Sequence, residues 1–234
     1  MKFRAIEYLI KNPLLHMGMI EPIRRDTADI LYAEIDGVLI KEQKSNAYML
    51  SVDNFEKGQG LINSILKCNL IVAYQKFMVD YILNRLGLTE KLECVQAVYM
   101  DKIKLNVEEE LEIRQLDQNQ IEVILEHYNK LSKYEIAELL KNENLFGGYR
   151  NGILIGFVGN HLEGSIGILE IFPQYRRLGY GVTLESYMVN QMLEKGLMPF
   201  GQIEINNEKS IALKRNLDLE YQRIDCTGCF SKFN

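Results

Sequence analysis

The sequence predicts a mixed α/β (α+β) protein, and three observations carry that prediction. Short runs rich in β-branched residues alternate with runs of helical period along the chain. Asp36-Gly37 separates two strand-like runs, a dipeptide suited to the positive φ angles of a two-residue hairpin. Residues 166–172 read as a buried strand running into a glycine-rich turn, Arg176-Arg-Leu-Gly-Tyr-Gly181, that opens a helix.

Length and composition set the frame. A chain of 234 residues suits one elaborate domain or two packed ones. Apolar residues make up 47% and charged residues 25%, so a sizeable core is expected and long disordered segments are not. The net charge of -5, with acidic and basic residues interspersed, leaves no basic surface that could compete for a polyanion, so nucleic acid is not an expected partner. The charged N-terminal residues and the lack of any membrane-length apolar run point away from a signal peptide or a membrane span, and so toward the cytoplasm. Four scattered cysteines read as reduced, partly buried thiols.

The elements follow in order. Residues 1–25 have helical spacing punctuated by Pro13 and Pro22, and residues 30–35, 38–41 and 47–52 form an antiparallel meander about Asp36-Gly37. A helix over 60–67, a short strand over 70–73, a helix over 76–86 stopped by Gly87 and a strand over 92–100 complete the first half. The acidic run 101–110 interrupts the hydrophobic periodicity, which places a boundary between residues 1–106 and 107–234. After it come a strand over 111–115 and helices over 119–131 and 134–141. Gly147-Gly148 and Asn151-Gly152 bracket short strands, the clearest at 153–158. Both halves pass from helix and meander to alternating helix and strand, which suggests a diverged structural duplication.

The turn after the 166–172 strand carries the chemistry. The first N–H groups of a helix have no intrahelical partner and the dipole adds positive charge, so an anion docks there. Arg176 and Arg177 add full charges. Beyond it Leu184, Met188 and Met192 recur every fourth residue with Glu185, Asn190 and Glu194 between them, and Lys195-Gly196 ends the helix. A strand over 200–205 leads to Asn206-Asn207-Glu208, a helix start whose core stripe is Leu213 and Leu217. Strand-like segments over 221–225 and 229–233 close the chain.

Arg176-x-x-Gly179-x-Gly181, preceded by Pro173-x-Tyr175, resembles the acyl-CoA signature of the GNAT superfamily of N-acyltransferases, and Asn207-x-x-Ser210-x-x-Leu213 resembles the pattern after that superfamily's fifth strand. A lone glycine pattern is weak; the ordered set of strand, turn, helix, strand and Asn-x-x-Ser helix over roughly residues 110–225 is much stronger. Within the superfamily the chain looks most like the glycine N-acyltransferase branch, whose members also carry a diverged N-terminal half. The resemblance implies a mixed, mostly antiparallel twisted sheet flanked by helices, with a degenerate GNAT-like first half. It also implies acetyl-CoA or another acyl-CoA as donor, a small-molecule amine as acceptor, no metal, and a monomer or homodimer. The pyrophosphate would lie on the amides of Arg177, Leu178, Gly179, Tyr180 and Gly181 beside Arg176, with Asn207 and Ser210 also at the cofactor. The backbone at Ile171 and Phe172 would meet the pantetheine arm and polarise the thioester carbonyl.

Proton transfer is where the chain departs from the pattern. Relatives with a catalytic Glu on the fourth strand place it eight residues before the proline, where this chain has Ser165. Glu163, two positions earlier and on the same face by period-two alternation, and Glu170, on the other face, are the candidate bases. Many relatives carry a proton-donating Tyr directly after the Leu of the second motif, where this chain has Lys214, read here as a solvated helix lysine. Asp218 replaces a glycine at that helix's end. Cys226-x-x-Cys229 lacks the further ligands that zinc needs and reads as terminal strand and turn. A non-catalytic acyl-CoA-binding module is the competing reading.

Overall fold

A computed structural model describes residues 1–217 and 220–231. The chain forms helices α1 (Lys2–Leu9) and α2 (Pro13–Arg24), strands β1 (Ala28–Glu34), β2 (Gly37–Glu42) and β3 (Tyr48–Val52), α3 (Phe55–Asn63), β4 (Leu70–Ala73), α4 (Val79–Leu86) and β5 (Glu90–Val98). Then follow β6 (Glu112–Gln115), α5 (Ile121–His127), α6 (Lys133–Lys141), β7 (Leu145–Arg150), β8 (Ile153–Asn160), β9 (Ile166–Ile171), α7 (Tyr180–Glu194), β10 (Phe200–Glu204), α8 (Glu208–Asn216) and β11 (Glu220–Phe230). Two compact units emerge: Met1–Val98 with Gln202–Glu208 and Glu220–Asn234, and Tyr99–Gly201 with Lys209–Leu219. They interleave in sequence because the chain leaves the second unit through β10 and its last strand, β11, enters the first unit's sheet.

In the first unit the sheet order is β1-β2-β3-β4-β11-β5-β10. The β1–β2 and β2–β3 pairs are antiparallel, but Glu34 pairs with Gly37, so the first hairpin turns at Ile35-Asp36 rather than Asp36-Gly37, and neither Asp36 nor Gly37 takes a positive φ. Gly37 lies in β2, where a Cβ would stand 2.9 Å from the Ser51 oxygen of β3. β3 and β4 are parallel, joined through α3. That helix starts at Phe55 rather than near Gly60, because the Asn54 side chain accepts from the Lys57 amide at 2.9 Å and caps it. β11 lies between β4 and β5 as one strand with a register shift between Gln222 and Cys226, not as two segments. Leu39, Leu50, Ile62, Ile71, Met78, Ile82, Cys68 and Cys229 share one core. Burial raises the pKa of the Cys68 thiol, and that of Cys229 to about 11, so both stay protonated at neutral pH.

A buried polar chain crosses this unit. His16 Nδ1 lies 2.9 Å from the Leu9 carbonyl oxygen and Nε2 2.9 Å from Ser51 Oγ. Gln75 Nε2 donates to that oxygen, and Tyr8 OH donates to Asp53 at 2.8 Å. The ring of Tyr74 packs edge-on to His16. Burial lowers the pKa of His16, opposed by its bond to Leu9 and by the charge of Asp53. The unfolded chain therefore binds a proton that the folded one resists, and stability should be constant above the ordinary histidine value of about 6.5 and fall as pH drops below it. Denaturant midpoints at pH 7.5 and 5.5 test this, with His16→Gln as the variant in which the His16 contribution disappears.

The second unit's sheet has the order β6-β7-β8-β9, antiparallel throughout. Gly147 and Gly148 do not bracket strands but lie inside β7, where a Cβ on Gly148 would come within 3.0 Å of Leu111 and 3.1 Å of Leu184. The hairpin turn is Asn151-Gly152, with φ of 50 and 77. α6 starts at a capping box between Ser132 and Glu135, and α5 ends at His127. Within residues 101–110 the backbone of Leu105 is held by Asn190 of α7, which accepts from its N–H and donates to its C=O, both at 2.8 Å. No helix among the described residues is long and apolar enough to cross a membrane.

Candidate functional site

The site is built on β9, the last strand of the second unit's sheet. Phe172 N donates to the Ile155 oxygen at 2.9 Å, so the residue-by-residue alternation of an antiparallel ladder turns the N–H and C=O of Leu169 and Ile171 away from β8. No strand among the described residues pairs with β9 on that side. Two alternate residues of β9 thus keep their N–H groups out of any ladder, while the Ile171 oxygen accepts from Arg176 Nε. Within the second unit, a Cβ on Gly201 would stand 2.4 Å from the Ile166 oxygen. Gly201→Ala must move backbone rather than a side-chain tip, and should cost about 1–3 kcal/mol. Urea denaturation checks it; an unchanged midpoint would show that the backbone there yields freely.

The turn follows β9. Pro173–Tyr175 makes one 3-10 turn, Arg177 has φ of 63, and Gly179 has φ of 86 before α7 begins at Tyr180. Val182 and Thr183 donate to the Gly179 oxygen, whereas the amides of residues 177–181 meet no acceptor among the described residues. Five consecutive N–H groups without acceptors, two of them on left-handed residues, form a concavity for an anion. Gly179 is glycine for its backbone angle, since nothing lies within 4 Å of a Cβ placed there. Gly181 has another reason: its Cβ would meet Leu213 Cδ1 at 3.1 Å and Ile171 Cγ1 at 3.8 Å, so it lets α8 pack against the start of α7.

The two arginines differ. Arg176 turns back, donating from Nε to the Ile171 oxygen at 2.8 Å and from Nη2 to Glu170 at 2.7 Å. Its charge is spent on Glu170, while Arg177 and Leu178 stand exposed at the turn. Phe172 is core: it stacks on His127 with ring centroids 3.9 Å apart, and its amide is used by Ile155. Tyr180 packs inward with Arg150 over its ring.

Glu163 is not on the strand face that period-two counting gives it. It sits in a turn closed by His161 N to the Ser165 oxygen and Gly164 N to the His161 oxygen, both 2.9 Å, with Gly164 at φ of 99. Alternation holds only within a strand, and β9 starts at Ile166. Its carboxylate accepts from Ser165 Oγ at 2.5 Å. Asn207 directly precedes α8, and Ser210 lies in that helix's first turn. Asp218 lies outside the described residues.

Lys214 departs most from its sequence reading. It is not solvated: it is 5% exposed and ion-paired with Glu185, itself 2% exposed. Glu185 is likewise not on a polar face, because α7 is buried on Thr183, Leu184, Glu185, Ser186, Met188, Val189 and Met192. Burial pushes the Lys214 ammonium down to about 7, and the carboxylate beside it pulls the other way. A signal existed in the sequence, since Glu185 and Glu194 are the only charged residues in fifteen positions of α7, too few for a solvated face. No group of three or more His, Cys, Asp or Glu among the described residues is placed to hold a metal.

Residues 147–227 match the family described as FR47-like protein. No curated protein matches the chain. Among solved structures, a Drosophila protein aligns with a TM-score of 0.67 at 16% identity, over 83% of this chain and 74% of that one. A putative acetyltransferase of the GNAT family from Novosphingobium aromaticivorans aligns with a TM-score of 0.57 at 11% identity, over 99% and 98%. A GCN5-related N-acetyltransferase-like protein from Streptococcus suis aligns with a TM-score of 0.55 at 15% identity, over 97% and 99%. The chain has the mixed α/β fold of these proteins, with antiparallel-rich sheets flanked by helices.

Proposed function

We propose that the chain transfers an acyl group, acetyl in the first instance, from CoA to the amine of a small molecule. One observation carries the reading: a strand edge whose Leu169 and Ile171 N–H groups face no partner strand among the described residues leads directly into five acceptor-free amides at a helix start. The pyrophosphate lies on the amides of residues 177–181 with the charge of Arg177 beside it. The pantetheine arm adds to β9 as a strand would, using the N–H of Leu169 and Ile171, and one of these amides polarises the thioester carbonyl as negative charge develops on its oxygen. The amine must arrive neutral or lose a proton in place, and Glu170 or Glu163 is the nearby carboxylate for that step. Ser210, in the first turn of α8, completes the cofactor side within the second unit. The glycine N-acyltransferase branch is the favoured relationship within the superfamily.

The first unit supports a diverged duplication. β3, α3 and β4 repeat the strand–helix–strand plan of β9, α7 and β10, but β3 and β4 are hydrogen-bonded to each other. Only Asp53-Asn54 separates β3 from α3, and Asn54 caps that helix. Such a copy has neither gap nor turn for a cofactor, so a single donor site belongs to the second half.

A second reading, an acyl-CoA-binding module without turnover, is favoured by the commitment of Glu170 to Arg176 and of Glu163 to Ser165. Thermal unfolding with and without acetyl-CoA, followed by thiol release across a panel of primary amines, separates the cases. Acyl transfer predicts stabilisation by CoA, which a ligand of the native state must give, and amine-dependent thiol release. Stabilisation without release supports the module, and no stabilisation sinks both.

A further inference from the structure

We infer that the Arg176 side chain is a latch that the donor must open: it holds the Ile171 carbonyl and the Glu170 carboxylate, and the donor's pyrophosphate draws it off both. This rests on the acyltransferase reading above. One guanidinium makes the two contacts, Nε donating to the Ile171 oxygen at 2.8 Å and Nη2 to Glu170 at 2.7 Å. Both partners have work in the reaction. The carbonyl is where an arm added to β9 as a strand donates, and the carboxylate stands between Leu169 and Ile171, whose amides meet the thioester.

Position makes the contact a competitor of the donor. The Ile171 oxygen faces away from β8, so a strand-like arm and Arg176 Nε approach it from the same side. Arg176 also begins the turn, directly before the acceptor-free amides of residues 177–181. The far end of that turn comes back to the strand, since the Cβ position of Gly181 is 3.8 Å from Ile171 Cγ1. Strand end, guanidinium and anion site therefore share one small volume, and the guanidinium can exchange one anion for another by rotating its own side chain. Its hold on Glu170 is a weak one, because the pair is open to water, with 52% of the Arg176 side chain and 21% of the Glu170 side chain exposed. A pyrophosphate, with several charged acceptor oxygens, is the stronger partner.

Opening the latch does two things. The Ile171 oxygen becomes available to an N–H of the arm, and Glu170 loses the cation that occupies its oxygen. The amine lone pair attacks the thioester carbonyl carbon, the C–N bond forms, and the C–S bond breaks with its electron pair going to sulphur. Glu170 takes the proton that nitrogen loses and passes it to water, and sulphur takes a proton from water, giving the amide and the free thiol. Proton abstraction is in this way tied to a donor whose phosphates are seated. A thioester arm without the pyrophosphate meets a closed latch even though it fits β9.

The experiment compares acetyl-CoA with S-acetylpantetheine, which has the arm and lacks the pyrophosphate, using an amine that the wild-type chain turns over with acetyl-CoA. In wild type, added inorganic pyrophosphate should raise kcat with S-acetylpantetheine about two- to fivefold, the range that release of an exposed ion pair allows. In Arg176→Gln, kcat with S-acetylpantetheine should exceed the wild-type value by a similar factor, and pyrophosphate should no longer raise it. Removing a residue that only binds phosphate, or only braces the turn, cannot speed a donor that has no phosphate. Glu170→Gln, which weakens the latch from its other side, should bind CoA about two- to fivefold more tightly in calorimetric titration while its kcat falls about 100-fold. The latch is overturned by an Arg176→Gln kcat with S-acetylpantetheine at or below wild type, by no response of wild type to pyrophosphate, or by unchanged or weaker CoA binding in Glu170→Gln. The pyrophosphate response and Glu170→Gln decide the matter even if Arg176→Gln does not fold. A wild-type chain that turns over no amine with acetyl-CoA overturns the acyltransferase reading itself, and is recognised before any variant is made.

Discussion

Gly179→Val should fold and yet lose acetyl-CoA, with Kd raised about 100-fold or more, because two charge-assisted hydrogen bonds at about 1.5 kcal/mol each already exceed that factor. The residue's φ of 86 is open to glycine and closed to a β-branched side chain. Valine has space for its Cβ, since no atom lies within 4 Å of it, so the substitution acts on the direction of the backbone rather than on packing. To relieve φ the peptide planes on either side must rotate, and the amides of Leu178, Gly179 and Tyr180 then stop converging on one point. Gly179→Ala should show the same effect more weakly. Calorimetric titration with CoA is the measurement, and a folded valine variant with wild-type affinity would place the phosphate site elsewhere.

Lys214→Met alone should destabilise the protein by about 3–5 kcal/mol, whereas adding Glu185→Leu should return most of that loss. The single variant strands a carboxylate that is 2% exposed among the apolar side chains of α7. The converse variant, Glu185→Leu, strands a buried amine instead, which escapes its charge by shedding a proton, as the stranded carboxylate does by gaining one. A sign follows for pH. The buried amine titrates lower than the unfolded lysine's 10.5, so between those values the unfolded chain holds more protons, and stability in Glu185→Leu should rise as pH increases through the window toward 10.5. Denaturant unfolding at pH 7 and 9 reads both effects. Equal losses in the single and double lysine variants would show that the pair is replaceable volume and not a charge that needs its partner.

Local signals were legible where local chemistry decides. Gly87 takes φ of 66 and stops α4, and Ser132 and Glu135 box the start of α6. Each depends on hydrogen bonds or φ angles within a few residues, so the sequence contains all the partners. The turn at Arg176 to Gly181 belongs to the same class, and the glycine at positive φ and the helix start after it follow from the chain. Other features had partners far away in sequence. β11 is one strand because β4 and β5 flank it, and Gly147 and Gly148 are strand residues because Leu116, Leu154, Leu111 and Leu184 crowd them.

What the sequence by itself determined is the mixed fold, the strand-to-helix turn that forms the candidate phosphate site, and the order of elements around it. Tertiary structure alone decided how the charges are spent. Arg176 faces Glu170 and not the turn, Glu163 sits in a loop against Ser165, and Lys214 is buried against Glu185. The physical reason is range: backbone angles and helix caps are fixed by neighbours in the chain, while the state of an ionisable side chain is fixed by desolvation and by whichever opposite charge the fold brings beside it.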